Sequence, residues 1–128
     1  MTFLNARSTY RRAENATNLD AADPHEIIVV TLTELEKSLA VLAKAAETGA
    51  PYSPHHLNRA FTAIYILQSS LDFEKGGEVA TNLFQVYEYC RLQVSEAFSR
   101  KPDPKLASCK DNISALLAAW RQIKPTEV

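Results

Sequence analysis

The chain has 128 residues, 46% hydrophobic and 23% charged, which is enough apolar material for one domain with its own core and too much for a chain that stays unfolded. Its formal net charge of −1 supplies no basic field to draw a phosphate backbone or an anionic membrane, so nucleic acid is excluded as a natural partner. No apolar run approaches the ~20 residues of a membrane span, and residues 1–12 lack the apolar core of a signal peptide, so no membrane insertion and a cytoplasmic location are expected.

Residues 1–22 carry Arg7, Arg11 and Arg12 among Asn, Thr and Ser, with Phe3, Leu4, Tyr10 and Leu19 as the few large apolar groups. No helical stripe runs through them, so they read as a mobile N-terminal arm that can fray or dock. A first helix is predicted from Asp23-Pro24-His25-Glu26, where Asp caps, Pro suits the first helical position and Glu stands three residues after the cap. Ile28, Leu32, Leu35, Leu39, Leu42 and Ala46 give it one apolar side, and Gly49 ends it. Ser53-Pro54 starts a second helix with the seam Leu57, Ala60, Ile64, Leu67 and Leu71. Phe61, Tyr65 and Ile66 lie outside that seam, and such surplus apolar groups either broaden a core or form an exposed patch.

Two of the three glycines, Gly76 and Gly77, then stand side by side, which favours a tight reversal between helices. Asp72 precedes the pair, and Glu78 follows it in a first helical turn, where a carboxylate faces the positive end of the helix dipole. The third helix is expected to run to about Ser99 with Val79, Leu83, Val86, Cys90, Val94 and Ala97 inward, flanked by Phe84, Tyr87 and Phe98. Lys101-Pro102-Asp103-Pro104 breaks the chain. Asp103 is then expected to cap a fourth helix that starts at Pro104 and stops at Pro125, with the stripe Leu106, Cys109, Ile113, Leu116, Trp120 and Ile123. Four amphipathic helices on short connections predict an all-α, antiparallel up-down-up-down four-helix bundle over residues 23–128.

Little in this chain suits catalysis. None of His25, His55 and His56 has a Glu three residues before it, and the adjacent His55 and His56 point in different directions on a helix, so no metal is expected. No phosphate-binding glycine loop or nucleophile elbow occurs. Glu34, Glu36, Glu88 and Glu96 are dispersed along solvated faces rather than paired for acid/base work. No catalytic residue and no cofactor are expected. Cys90 and Cys109 fall on apolar stripes without metal-like spacing and read as buried free thiols, with a disulfide between neighbouring helices as the alternative.

The run Leu71-Asp72-x-x-x-Gly76-Gly77-Glu78-Val79-Ala80-x-Asn82-Leu83, continuing through Val86-Tyr87-Glu88-Tyr89, resembles the signature of the flagellar export chaperones, the FliS family. Tyr10 in the arm, Pro24-His25-Glu26-Ile27-Ile28 at the first helix and Ala119-Trp120 near the end extend the likeness. The chain departs from it where the family commonly has Leu-Tyr-Asp-Gly-Ala, since Leu32-Thr33-Glu34-Leu35 stands here; a helix is easier without that Gly. The resemblance implies a non-enzymatic helical bundle that holds the disordered C-terminal segment of flagellin, prevents its premature polymerisation and presents it to the flagellar type III export gate. Together with the apolar groups outside the seams, it makes Tyr10, Ile27, Ile28, Phe61, Tyr65, Phe84 and Tyr87 the candidate partner-binding residues, while Asp72, Gly76, Gly77, Glu78 and Trp120 read as structural. It also implies that the arm covers the ligand groove and moves when flagellin arrives. The alternative is a general interaction module, including a homodimer formed through the same surface, and a co-chaperone is a further class of partner.

Overall fold

The computed structural model describes residues 24–102 and 104–122. The arm with Tyr10, the expected caps Asp23 and Asp103, and Ile123 and Pro125 lie outside the described residues. Among the described residues there are four helices and no strand: α1 (Pro24–Thr48), α2 (Pro54–Ser69), α3 (Phe73–Phe98) and α4 (Leu106–Gln122).

Local chemistry sets the ends. Gly49 adopts φ 74 after α1, and the Ala50 N–H returns to the Ala45 carbonyl at 3.0 Å, closing the last turn. Ser53 caps α2 through its hydroxyl, which accepts the His56 N–H at 3.4 Å, and Pro54 fills the first turn, where its missing N–H costs nothing. Asp72 caps α3, its Oδ1 accepting the Lys75 N–H at 2.9 Å. Helix α3 ends on Arg100 at φ 59, a left-handed position filled without glycine. The Lys101 N–H then reaches the Glu96 carbonyl at 2.9 Å. The fourth helix starts at Leu106 rather than Pro104. The Lys105 N–H just before it is satisfied by Gln93 Oε1 of α3 at 2.7 Å, and the Lys105 carbonyl accepts the Cys109 N–H at 3.1 Å, so Lys105 stands at the start of the helix.

Three of the four neighbouring pairs of helices are each tied by two contacts whose residue numbers run in opposite directions. These are Glu34–Arg59 and Ser38–His56 for α1 and α2, and Gln68–Glu88 and Phe61–Phe98 for α2 and α3. His25–Trp120 and Glu36–Ser114 join α1 to α4. All these pairs are therefore antiparallel. Helix α1 packs most extensively on α4 and α2, α3 packs on α2 and least on α4, and the diagonal pairs do not approach. That is an antiparallel up-down-up-down four-helix bundle.

Leu32, Leu35, Leu39 and Leu42 of α1 meet Leu57, Ala60, Ile64 and Leu67 of α2 in the core. Tyr87, Cys90, Val94 and Ala97 come from α3, and Leu106, Cys109, Ile113 and Leu117 from α4. The stripes read from sequence shift in four places. Ala45 is buried and Ala46 exposed in α1, and Ile66 joins the buried residues of α2. In α3 the inward positions are Ala80 and Tyr87, while Val79 is 65% exposed. In α4, Leu117 takes the buried place, leaving Leu116 and Trp120 half-buried against the core edge. Two buried hydroxyls keep partners: Thr31 Oγ1 donates to the Ile27 carbonyl at 2.7 Å, and Ser38 Oγ lies 3.3 Å from His56 Nδ1.

The glycine pair sits inside α3, one turn from its start. Gly77 has φ 50 and ψ −125, so the hydrogen-bonded helix Phe73–Phe98 is broken there. On a straight helix the eleven residues from Phe73 to Phe84 would span about 16 Å, yet their rings are 6.1 Å apart. The chain therefore turns back at Gly77: residues 73–76 prolong the α2 arm, and Glu78, exposed, opens the returning one. The two glycines differ in kind. A Cβ on Gly77 would meet nothing within 4 Å, so its requirement is purely one of backbone angle, whereas a Cβ on Gly76 would come 2.9 Å from the Ala80 Cβ. Crowding belongs to Gly76.

Candidate partner-binding surface

Residues three and four apart share a helix face, and on α2 this puts Phe61, Tyr65 and Gln68 along the edge toward α3. On α3 the same rule aligns Phe84, Glu88, Arg91 and Phe98. The two rows meet at three levels. Phe61 and Phe98 pack edge to face with ring centroids 6.3 Å apart and planes at 74°. Gln68 Nε2 donates to Glu88 Oε1 at 3.1 Å. Phe73 and Phe84 lie across the reversal at 59°. From Phe84 to Phe98 the edge is about 21 Å long.

Its chemistry is aromatic at both ends and ionic between. Tyr65 is 44% exposed, Phe73 51%, Phe84 38% and Phe98 64%, a run of apolar surface that a soluble domain seldom leaves without a use. Between them Arg91 grips Glu88 with two nitrogens, Nε to Oε1 at 2.8 Å and Nη2 to Oε2. Arg91's hydrogen bonds, then that from Gln68, hold the Glu88 carboxyl down at about 2, and Glu88 in turn raises the Arg91 guanidinium. The clamp stays charged and fixed, and it separates two patches able to take apolar anchors.

Of the residues expected to bind a partner, Phe61, Tyr65 and Phe84 come together here. Tyr87 does not: it is 1% exposed and faces the core, and burial, then the neighbouring Cys90, pushes its phenol up to about 12. Ile27 and Ile28 are half-buried at the start of α1. Ile28 packs on the core, and Ile27 stands one turn before Thr31, which with Glu34, Arg59 and Ile66 lines the groove between α1 and α2. That groove lies on the other side of α2 from the aromatic edge and is bridged by Arg59 and Glu34 at 3.2 Å. Phe73 and Phe98 are the edge residues that sequence reading left out of the site. Phe98 had a signal, since Phe84, Arg91 and Phe98 recur at intervals of seven.

Trp120 holds the far end of the molecule. Its carbonyl accepts from His25 Nε2 at 2.6 Å, and the two rings lie 5.6 Å apart, pinning the first turn of α1 to the last of α4. Among the described residues no three His, Cys, Asp or Glu side chains group to hold a metal, and no helix is long and apolar enough to cross a membrane.

Comparison with known proteins decides the kinship. The model of the family described as "Flagellar protein FliS" matches residues 6–127. The chain belongs to the FliS family. Similar relatives are the flagellar secretion chaperone FliS of Vibrio cholerae, 30% identical over 118 residues covering 91% of this chain and 86% of the relative, and that of Salmonella typhimurium, 30% identical over 107 residues covering 82% and 79%. The flagellar secretion chaperone FliSB of Pseudomonas aeruginosa is 30% identical over 118 residues, 91% of this chain and 90% of its own. No solved structure matches. Membership in FliS agrees with the four-helix architecture, and FliS is a family of chaperones rather than of enzymes.

Proposed function

We propose that this FliS chain is a cytoplasmic export chaperone for flagellin. It binds flagellin's disordered C-terminal segment, keeps it from polymerising early and hands it to the flagellar type III export gate. The observation that carries the reading is the exposed aromatic edge between α2 and α3, on a chain whose relatives are named flagellar secretion chaperones. A disordered segment that folds as amphipathic helices can set apolar side chains against such an edge. Coupled folding of this kind buries ~1,000–3,000 Å² and gives back a few kcal/mol to ordering, which keeps the complex specific yet separable at the gate.

The test is co-purification and calorimetry with flagellin, whole and lacking its last ~40 residues, enough for two or three average helices. Binding should require that segment. Phe84→Ser and Phe98→Ser should each weaken it by about tenfold, the effect of losing a 1.4 kcal/mol anchor, with circular dichroism checking that each variant still folds after losing its ring contact with Phe73 or Phe61. Undiminished binding of the truncated flagellin would overturn the proposal.

A further inference from the structure

The aromatic edge is interrupted at its middle by a polar cluster with bonding capacity left over. Glu88 takes three hydrogen bonds: Oε1 accepts from Gln68 Nε2 at 3.1 Å and from Arg91 Nε at 2.8 Å, and Oε2 accepts from Arg91 Nη2. A carboxylate only accepts, so the Gln68 amide must turn its nitrogen to Glu88, and its oxygen, an acceptor, is left outside the cluster. Arg91 Nη1 is the matching donor, and among the described residues neither atom has a hydrogen-bond partner. The side chains of Arg91 and Glu88 are 43% and 32% exposed, so a bound segment can reach the cluster. Along α3 it lies midway between two anchors, since Phe84, Arg91 and Phe98 stand seven residues apart, about 10.5 Å for each interval. The geometry points to a register lock: we infer that Gln68, Glu88 and Arg91 read one amide side chain, Asn or Gln, at the centre of a bound helix whose apolar anchors stand seven residues before and after it. This rests on the reading of the edge as a docking surface, and adds the sequence that the surface accepts.

A helix laid along the groove between two others meets them in equivalent places every seven residues, the spacing of a coiled-coil seam. Leucine at the central place would strip water from Arg91 Nη1 and the Gln68 oxygen and return nothing. Glutamate satisfies Arg91 but turns acceptors toward the Gln68 oxygen and the Glu88 carboxylate, and lysine satisfies Gln68 but meets the Arg91 guanidinium with like charge. An amide carries its donor and acceptor on separate atoms, so it accepts from Arg91 and donates to Gln68 at once. The Arg91–Glu88 pair is neutral as a whole and asks for no net charge in return. A single polar contact inside an apolar seam fixes register at some cost in affinity. The cluster therefore sorts segments by where their amide falls, while the aromatic ends hold any large apolar side chain. The lock sets register and not direction, because apolar anchors flank the amide on both sides.

The test uses synthetic amphipathic helices of about 22 residues, enough for three equivalent seam positions, identical except for Gln, Leu or Glu at the centre of the apolar face. Fluorescence anisotropy with the whole protein should show the Gln peptide binding about tenfold more tightly than the Leu or Glu peptide. In the triple variant Gln68→Leu, Glu88→Leu, Arg91→Leu the Leu peptide should bind best, with circular dichroism checking the fold. Arg91→Met, a milder change that removes the open donor, should by itself bring the Gln and Leu peptides level. Equal binding of the three peptides to the wild type, binding of none of them, or a Gln preference that survives both variants would overturn the inference. Flagellin measured alongside separates the lock from the chaperone reading. If flagellin fails to bind while the peptides sort as stated, that reading falls and the lock stands; if wild type and triple variant hold flagellin equally, the lock alone falls.

Discussion

Replacing Gly77 by alanine isolates the backbone cost of the reversal between α2 and α3. At φ 50 and ψ −125 the residue sits in the mirror image of the extended region, which an L side chain enters at about 1–3 kcal/mol. Removing a glycine from the unfolded chain returns about 0.4–1 kcal/mol. The net loss is about 1–2 kcal/mol, and it is all backbone strain, because the new Cβ touches nothing. Urea unfolding followed by the emission of Trp120, the single tryptophan, should show a lower midpoint at an unchanged slope. A D-alanine at 77, introduced by ligation at Cys90, has the opposite handedness and should restore or exceed wild-type stability. The reasoning fails if Gly77→Ala is as stable as the parent, or if the D and L residues are equally harmful.

Trp120→Ala should cost about 2–3 kcal/mol, less than the 3–5 of a fully enclosed aromatic, because the indole is half-buried and covers only the core edge; thermal melts by circular dichroism will show it, and a loss below about 1 kcal/mol would place the ring outside the core. Glu88→Gln tests the clamp. Since the folded carboxyl is held down at about 2, below its unfolded value of about 4.3, its contribution is present above about pH 4.3 and lost as pH falls through 2. The stability gap between wild type and variant should stay level from pH 7 to about 5 and close by about pH 2, at no more than about 1 kcal/mol for so solvated a pair. Arg100→Gly relieves a left-handed residue worth about 1–2 kcal/mol and gives back up to about 1 in the unfolded state, so the melting point should hold or rise, and a clear fall would show that the Arg side chain matters more than its φ.

The helices and their order were legible because breakers and caps punctuate the chain: Gly49, Ser53-Pro54 and the prolines after Lys101 each mark a helix end, whereas the third helix, expected to follow the glycine pair, starts at Phe73 on an Asp72 cap. The finer rotation of the helices was not. In α3, Val79, Leu83 and Val86 make as good a stripe as Ala80, Leu83 and Tyr87, and only the angle at which the chain leaves Gly77 chooses between them. The choice turned Tyr87 inward, although its hydroxyl favours the surface, and turned Val79 out. The aromatic edge was half legible for the same reason. Phe61, Tyr65 and Phe84 were visible as apolar groups off their seams, whereas Phe73 joins Phe84 through a fold-back that no periodicity encodes.

The tie between His25 and Trp120 bears on how this molecule is made. The most extensive helix pairing joins α1 to α4, so the apolar stripe of α1 lacks its main cover until Leu106 and its successors have been translated. From Thr48 to Leu106 there are 58 residues (106 − 48), about 3–12 s of synthesis. During that interval the nascent chain shows the ribosome and its attendant factors the same Leu32, Leu35, Leu39 and Leu42 that the finished bundle hides. A message cut short before α4 therefore yields an open, sticky product, its α1 stripe left without the helix that packs most extensively on it.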